Sequence, residues 1–372
     1  MAEQIKDPGL PQMNVERLVS QLSELYSSVI NSGGAISGVP SVMLWSPPGV
    51  GKSDAVRQIA AQIEHSCGKK VYVTDVRLML FNPIDLRGIP TANDDKTLAV
   101  WLRPQIFDMD GGDDIVNILF LDEISAAPQS VQAAAYQITL DRTIGEHRLP
   151  DNCIVIAAGN RVTDRSVAYK MPKALANRLM HIEVSGSFSS WKKWAVAKGI
   201  DPRVIAFLSF RQDMLMGFDS SNDDLAFATP RSWEMVSRVL TSTGGSIDSA
   251  YPLIAGLIGT GAAIELRTWE KVYESIPPIE DIFAGRKAAV PKSADALYAV
   301  VSAMTAYARE HADEPELIAN SIVYADKMPP EFSTILMKDY MSLAPDYRTV
   351  LMGIPEFRSW LNKKGRLMNG AV

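Results

Sequence analysis

Ser46-Pro-Pro-Gly-Val-Gly-Lys-Ser53 stands between a short apolar run, Val42 to Trp45, and a helical pattern with apolar residues at Ala55, Val56, Ile59, Ala60 and Ile63. A strand that turns through glycines straight into a helix leaves the helix's first backbone N–H groups aimed into the turn. Such groups hold phosphate oxygens well. Gly49 and Gly51 can take the backbone angles this turn needs and let the chain approach a ligand closely. In a loop of this kind the lysine, here Lys52, sits on the β- and γ-phosphates, and the Ser53 hydroxyl holds Mg2+. The expected nucleotide contacts are Pro48, Gly49, Val50, Gly51, Lys52, Ser53 and Asp54. Ser46 departs from the usual pattern, which has a glycine at that position.

Farther along, Ile115 to Leu121 is an almost wholly apolar run that ends in Asp122-Glu123. A strand this apolar is buried on both faces. Two carboxylates at its end are costly unless a metal-bound nucleotide compensates them. Asp122 is the expected partner of Ser53 in holding Mg2+, and Glu123 the group that polarises the attacking water. Further apolar runs at 71–73, 154–158 and 180–184 alternate with helical patterns. That alternation predicts an α/β core with a parallel sheet covered on both faces, ending near residue 186. Residues 14–31 read as an amphipathic helix that stops at Gly33-Gly34. From Ser187 the strand signal ceases. Segments 188–198, 202–210, 230–241 and 250–274 read as helices, 277–291 as an irregular connection, and 293–369 as a further helical region.

Composition narrows the classes. A formal charge of -6 and a pI near 5.4 argue against a general electrostatic grip on nucleic acid. Cys67 and Cys153 form no disulfide framework and suit a reducing, cytoplasmic setting. The four histidines lack metal-ligand spacing, and neither a secretory signal nor a membrane span is expected.

Asp122-Glu-Ile-Ser-Ala-Ala-Pro-Gln-Ser-Val-Gln132, Ile154-Val-Ile-Ala-Ala-Gly-Asn160, Met171-Pro-Lys-Ala-Leu-Ala-Asn-Arg-Leu-Met-His-Ile-Glu183 and Ala228-Thr-Pro-Arg-Ser-Trp-Glu234 then make a recognisable set. Together with the phosphate loop they resemble the MoxR-type branch of the AAA+ ATPases over roughly residues 35–245. The resemblance implies an AAA+ P-loop NTPase core with a five-stranded parallel sheet, an α-helical lid and a helical C-terminal extension. The corresponding boundaries are 1–34 for an N-terminal helical segment, 35–186 for the core, 187–275 for the lid and 276–372 for the extension. It implies ATP and Mg2+ as ligands, Asn160 as the sensor that positions water, Arg178 as an arginine finger and Arg231 as the second sensor. Arg161 and Arg165 are rivals for the finger. Thr229 as N-cap and Pro230 as first helical residue put Arg231 in a first turn, where a bound anion would offset the dipole cost of a cation.

The resemblance also implies a homo-oligomer, a hexameric ring, that remodels a protein client, with a von Willebrand factor A domain protein as a possible partner. A nucleic-acid-directed motor and a slow nucleotide-gated scaffold are the alternatives. Residues 81–113 read as an inserted hairpin and 143–150 as a second one, with Arg87, Trp101 and Arg103 as candidate contacts. In the extension, Trp360 reads as packed and Lys363-Lys-Gly-Arg366 as a solvated tail.

Overall fold

The computed structural model describes residues 9–161, 171, 176–217, 224–344 and 346–368. The chain divides into two compact units, one running to Gly186 and one beginning at Ser187. Among the described residues no helix is long and apolar enough to cross a membrane.

Among the described residues, the first unit is built on six parallel strands. In chain order they are β1 (Gln12–Asn14), β2 (Val42–Trp45), β3 (Lys70–Arg77), β6 (Ile115–Asp122), β9 (Cys153–Gly159) and β10 (Met180–Ser185). Their spatial order is β1-β10-β2-β9-β6-β3. β2, β6 and β9 are buried along nearly their whole length, as central parallel strands must be. Asn117 is the polar exception in β6, and its amide donates to the Asp110 carbonyl (2.7 Å) and to Asn152 Oδ1 (3.0 Å). The sheet has one strand more than the five apolar runs predict. β1 has only three residues, Gln-Met-Asn, half-exposed at the sheet edge, so no hydrophobic pattern announces it.

Helices α1 (Val15–Asn31) and α2 (Lys52–Cys67) pack against each other. α1 buries Leu18, Val19, Leu22, Tyr26 and Ile30, and the Asn14 side chain caps it by accepting from Arg17 N at 2.8 Å. A short helix α3 (Pro83–Arg87) precedes the hairpin β4 (Ile89–Ala92) and β5 (Ala99–Leu102). Helix α4 (Gln129–Asp141) is followed by the small hairpin β7 (Thr143–Ile144) and β8 (His147–Arg148). The two hairpins touch, because the His147 ring bonds the Trp101 carbonyl at 2.7 Å. Trp101 is half-buried, Arg103 is ion-paired with Asp108, and Arg87 is exposed.

The second unit is helical. α5 (Phe188–Lys198), α6 (Pro202–Phe210), α7 (Pro230–Thr243), α8 (Ile247–Ile258) and α9 (Thr260–Glu274) surround a core containing Phe207, Trp233, Leu240, Leu266 and Trp269. The stretch that reads as one helix over 250–274 is two, divided at Gly259. The expected irregular connection holds a short helix α10 (Ile279–Phe283). Five more helices follow: α11 (Ala294–Glu310), α12 (Pro315–Ala325), α13 (Pro330–Met341), α14 (Tyr347–Gly353) and α15 (Pro355–Lys364). They enclose a second core in which Trp360 is buried. Lys363 and Lys364 both reach Asp326, at 3.2 and 3.1 Å, so this part of the expected solvated tail is tied down.

Candidate nucleotide site

Three neighbouring parallel strands end at the same edge of the sheet. β2 pairs with β9 in the register Trp45↔Gly159, and β9 pairs with β6 in the register Ala157↔Leu121. The residues that leave these strands, Ser46, Asn160 and Asp122-Glu123, therefore meet outside the carboxyl ends, where open α/β sheets hold ligands.

The loop after β2 turns into α2 at Gly51, which caps the helix in a left-handed conformation at φ 110°. A side chain there would be strained, so the glycine is a geometric requirement. Lys52 is the first residue of α2. Its Nζ donates to the Ser46 carbonyl (3.0 Å), Ser46 Oγ (2.9 Å) and Asn160 Oδ1 (3.2 Å). Ser46 is fully buried, and its hydroxyl donates to the Pro47 carbonyl at 2.8 Å. The loop thus accommodates the serine at the position where glycine is usual, and uses it to hold the lysine. Asp54 is paired with Arg57 at 3.3 Å.

Ser53 Oγ donates to Asp122 Oδ2 at 3.1 Å, joining loop and strand end through two hard oxygen donors. Asp122 Oδ1 accepts from Glu123 N at 2.8 Å. Glu123 itself has φ 60°, a left-handed conformation that costs a non-glycine residue about 1–2 kcal/mol. Asp122 on one side and the bond from Ile124 N to the Ala158 carbonyl (2.9 Å) on the other hold it there. Backbone strain of this sort gathers at functional positions. Burial pushes the Asp75 carboxyl up, Asp122 adds to the effect, and Arg77 and Arg57 oppose it. A cation between Ser53 and Asp122 would ease that repulsion. The donor set suits Mg2+, which takes one or two protein oxygens and completes its shell with water and phosphate. Among the described residues no group of three or more His, Cys, Asp or Glu forms a larger metal cage.

The arginines differ in their engagement. Arg161 Nη1 is bound to Glu183 Oε1 at 2.6 Å, and Glu183, mostly buried, also accepts from Gln12 at 3.0 Å. Arg165 lies outside the described residues. Arg178 is exposed in the turn before β10 and makes no ion pair among the described residues. Arg231 belongs to the second unit, exposed in the first turn of α7, with Thr229 capping that helix through Ser232 N at 3.0 Å. Sequence reasoning missed Asp75, Glu183 and Ser125. Ser125 Oγ accepts from Asn160 N at 2.8 Å. A small polar residue just past a buried strand was the available signal.

Residues 41–181 match the AAA family of ATPases. The family is described as the ATPase family associated with various cellular activities, and its match runs from the start of β2 into β10. The AAA match thus contains the phosphate loop, Asp122, Glu123, Asn160 and Arg178. No curated protein matches the chain. Among solved structures, a RuvB variant from Thermotoga maritima is similar at 16% identity, with 82% of this chain and 86% of that chain covered and a TM-score of 0.34. NtrX from Brucella abortus is similar at 13% identity, with 94% and 67% covered and a TM-score of 0.35.

Proposed function

We propose that this chain binds ATP with Mg2+ and hydrolyses it, as a ring-forming oligomer of the MoxR type that remodels a protein client. The observation that carries the reading is the meeting of Lys52, Ser53, Asp122, Glu123 and Asn160 at three adjacent strand ends, behind a helix N-terminus. Lys52 would exchange its loop acceptors for β- and γ-phosphate oxygens, a strong charge-assisted contact. Ser53 and Asp122 would hold Mg2+, which when bound neutralises charge on the phosphates. Glu123 would take the proton of the attacking water, and Asn160 would orient that water from the end of β9. Little covalent chemistry is asked of the protein: positioning and electrostatics do the work.

Arg178 is the better candidate than Arg161 for a group acting on a neighbour's site. Arg161 is already committed to Glu183 within its own chain, whereas Arg178 is exposed. A finger of this kind contributes about 10³ to 10⁵ in rate. Ring assembly follows from the same assignment, since an isolated subunit would lack that arginine.

The test is equilibrium binding of a fluorescent ATP analogue with Mg2+. Wild type is expected to bind and Lys52→Ala to lose binding while keeping its thermal transition. Equal affinity in the two would overturn the phosphate-loop assignment.

A further inference from the structure

Ser125 is almost wholly buried and lies two residues after Glu123, in the turn that leaves β6. The turn is fastened on two sides. Ile124 N donates to the Ala158 carbonyl (2.9 Å), and Asn160 N donates to Ser125 Oγ (2.8 Å), so two successive turn residues grip the end of β9. From the opposite side Gln132, itself buried on α4, donates through Nε2 to the Ser125 carbonyl (3.2 Å) and the Ala127 carbonyl (2.9 Å). Asn160 in turn presents Oδ1 to Lys52 Nζ at 3.2 Å.

The local packing is built around this hydroxyl. Gly159 sits so close that an added Cβ would stand 2.9 Å from Ser125 Oγ, 3.1 Å from Ser125 Cβ and 3.0 Å from Met43 Cε. β9 therefore ends in a residue without a side chain, and the space goes to the serine. Alanine at 125 would leave the Asn160 N–H without its acceptor.

We infer that Ser125 is a positioning residue, tying the turn that carries Glu123 to Asn160 so that the water-polarising carboxylate and the water-orienting amide keep one fixed relation. This rests on the proposed roles of Glu123 and Asn160 in hydrolysis. Ser125 touches neither water nor nucleotide in this account. It acts through the backbone of Asn160, so its contribution requires the Asn160 side chain to be present.

The test measures steady-state ATP hydrolysis and ATP-analogue affinity with Mg2+ for the full chain. Ser125→Ala is expected to lower kcat by about ten- to a hundredfold, the scale of a small misplacement of catalytic groups. Affinity should stay within about twofold. In an Asn160→Ala background the same substitution should change kcat by less than about twofold, because the group it positions is gone. Equal fractional losses in the two backgrounds, a full kcat in Ser125→Ala, or affinity falling together with kcat would each overturn the proposal. Should alanine impair folding, Ser125→Thr and Ser125→Val form a pair of equal size that differ in the hydroxyl. Threonine is expected to keep more of kcat, and equal rates in that pair would also overturn it. Glu123→Gln is the control for the underlying reading. If it hydrolyses ATP like wild type, the catalytic assignment itself fails; if it is inactive while Ser125 proves indifferent, only the role of Ser125 fails.

Discussion

Lys52 shows how much of a site one residue can organise. Its ammonium draws together Ser46 from the loop and Asn160 from β9, so the loop keeps a defined shape around its donors. This was partly legible in the sequence, because glycines, a lysine and a serine ahead of a helical pattern have few other uses. Asp75 was not legible, since a lone aspartate within a strand carries no signal until the fold brings a partner to it, and Ser125 offered only its place just past a buried strand. Cys153 makes a residue-scale prediction. It is buried at the start of β9, and burial pushes its thiol up to about 11, against a smaller opposing effect of Arg142. Cys67, at the end of α2, is half-exposed. The thiolate is the reactive form, so at pH 8 an alkylating reagent is expected to label one cysteine in the native protein and both in denaturant. Mass spectrometry counts the labels, and native modification of Cys153 would contradict its placement.

Among elements, the buried central strands and the strongly patterned helices were read with boundaries within a residue or two, because each must bury a continuous stripe or a whole strand. By contrast β3, read only at 71–73, runs to Arg77, because its later residues are largely polar. β1 escaped because an edge strand held by backbone bonds needs no apolar pattern. The break at Gly259 escaped because the apolar spacing continues on both sides of it. Spatial strand order was beyond the sequence altogether, since every strand of this sheet pairs in parallel through a long crossover. Trp233 supports a prediction at this scale. It is fully buried on α7 against Phe207, and its indole donates to the Met214 carbonyl at 2.9 Å. Trp233→Ala removes both packing and a hydrogen bond, and is expected to cost about 3–5 kcal/mol. For a unit of this size that lowers the melting temperature by roughly 6–20 °C. Calorimetry measures it, and a shift below a degree would mean the helix does not pack as described.

At the scale of the whole molecule, the two units differ in what the sequence could say of them. The first carries the phosphate loop, the acid pair and the AAA match; the second offers helices, Arg231 and two apolar cores. Its helical character was visible as a pattern, though α10, the break at Gly259 and the division of residues 293–369 into separate helices were not. The region beyond residue 275 has no motif that speaks to function. The proposed ring rests on Arg178 serving a neighbour, and the proposed chemistry on Glu123 serving its own subunit. One measurement reaches both: phosphate release from ATP and Mg2+ by wild type, Glu123→Gln, Arg178→Ala and an equimolar mixture of the two variants. Both variants are expected to bind nucleotide, each alone to be slower than wild type by about 10² or more, and the mixture to recover part of the activity. Phosphate release by Glu123→Gln at the wild-type rate would contradict the proposed chemistry.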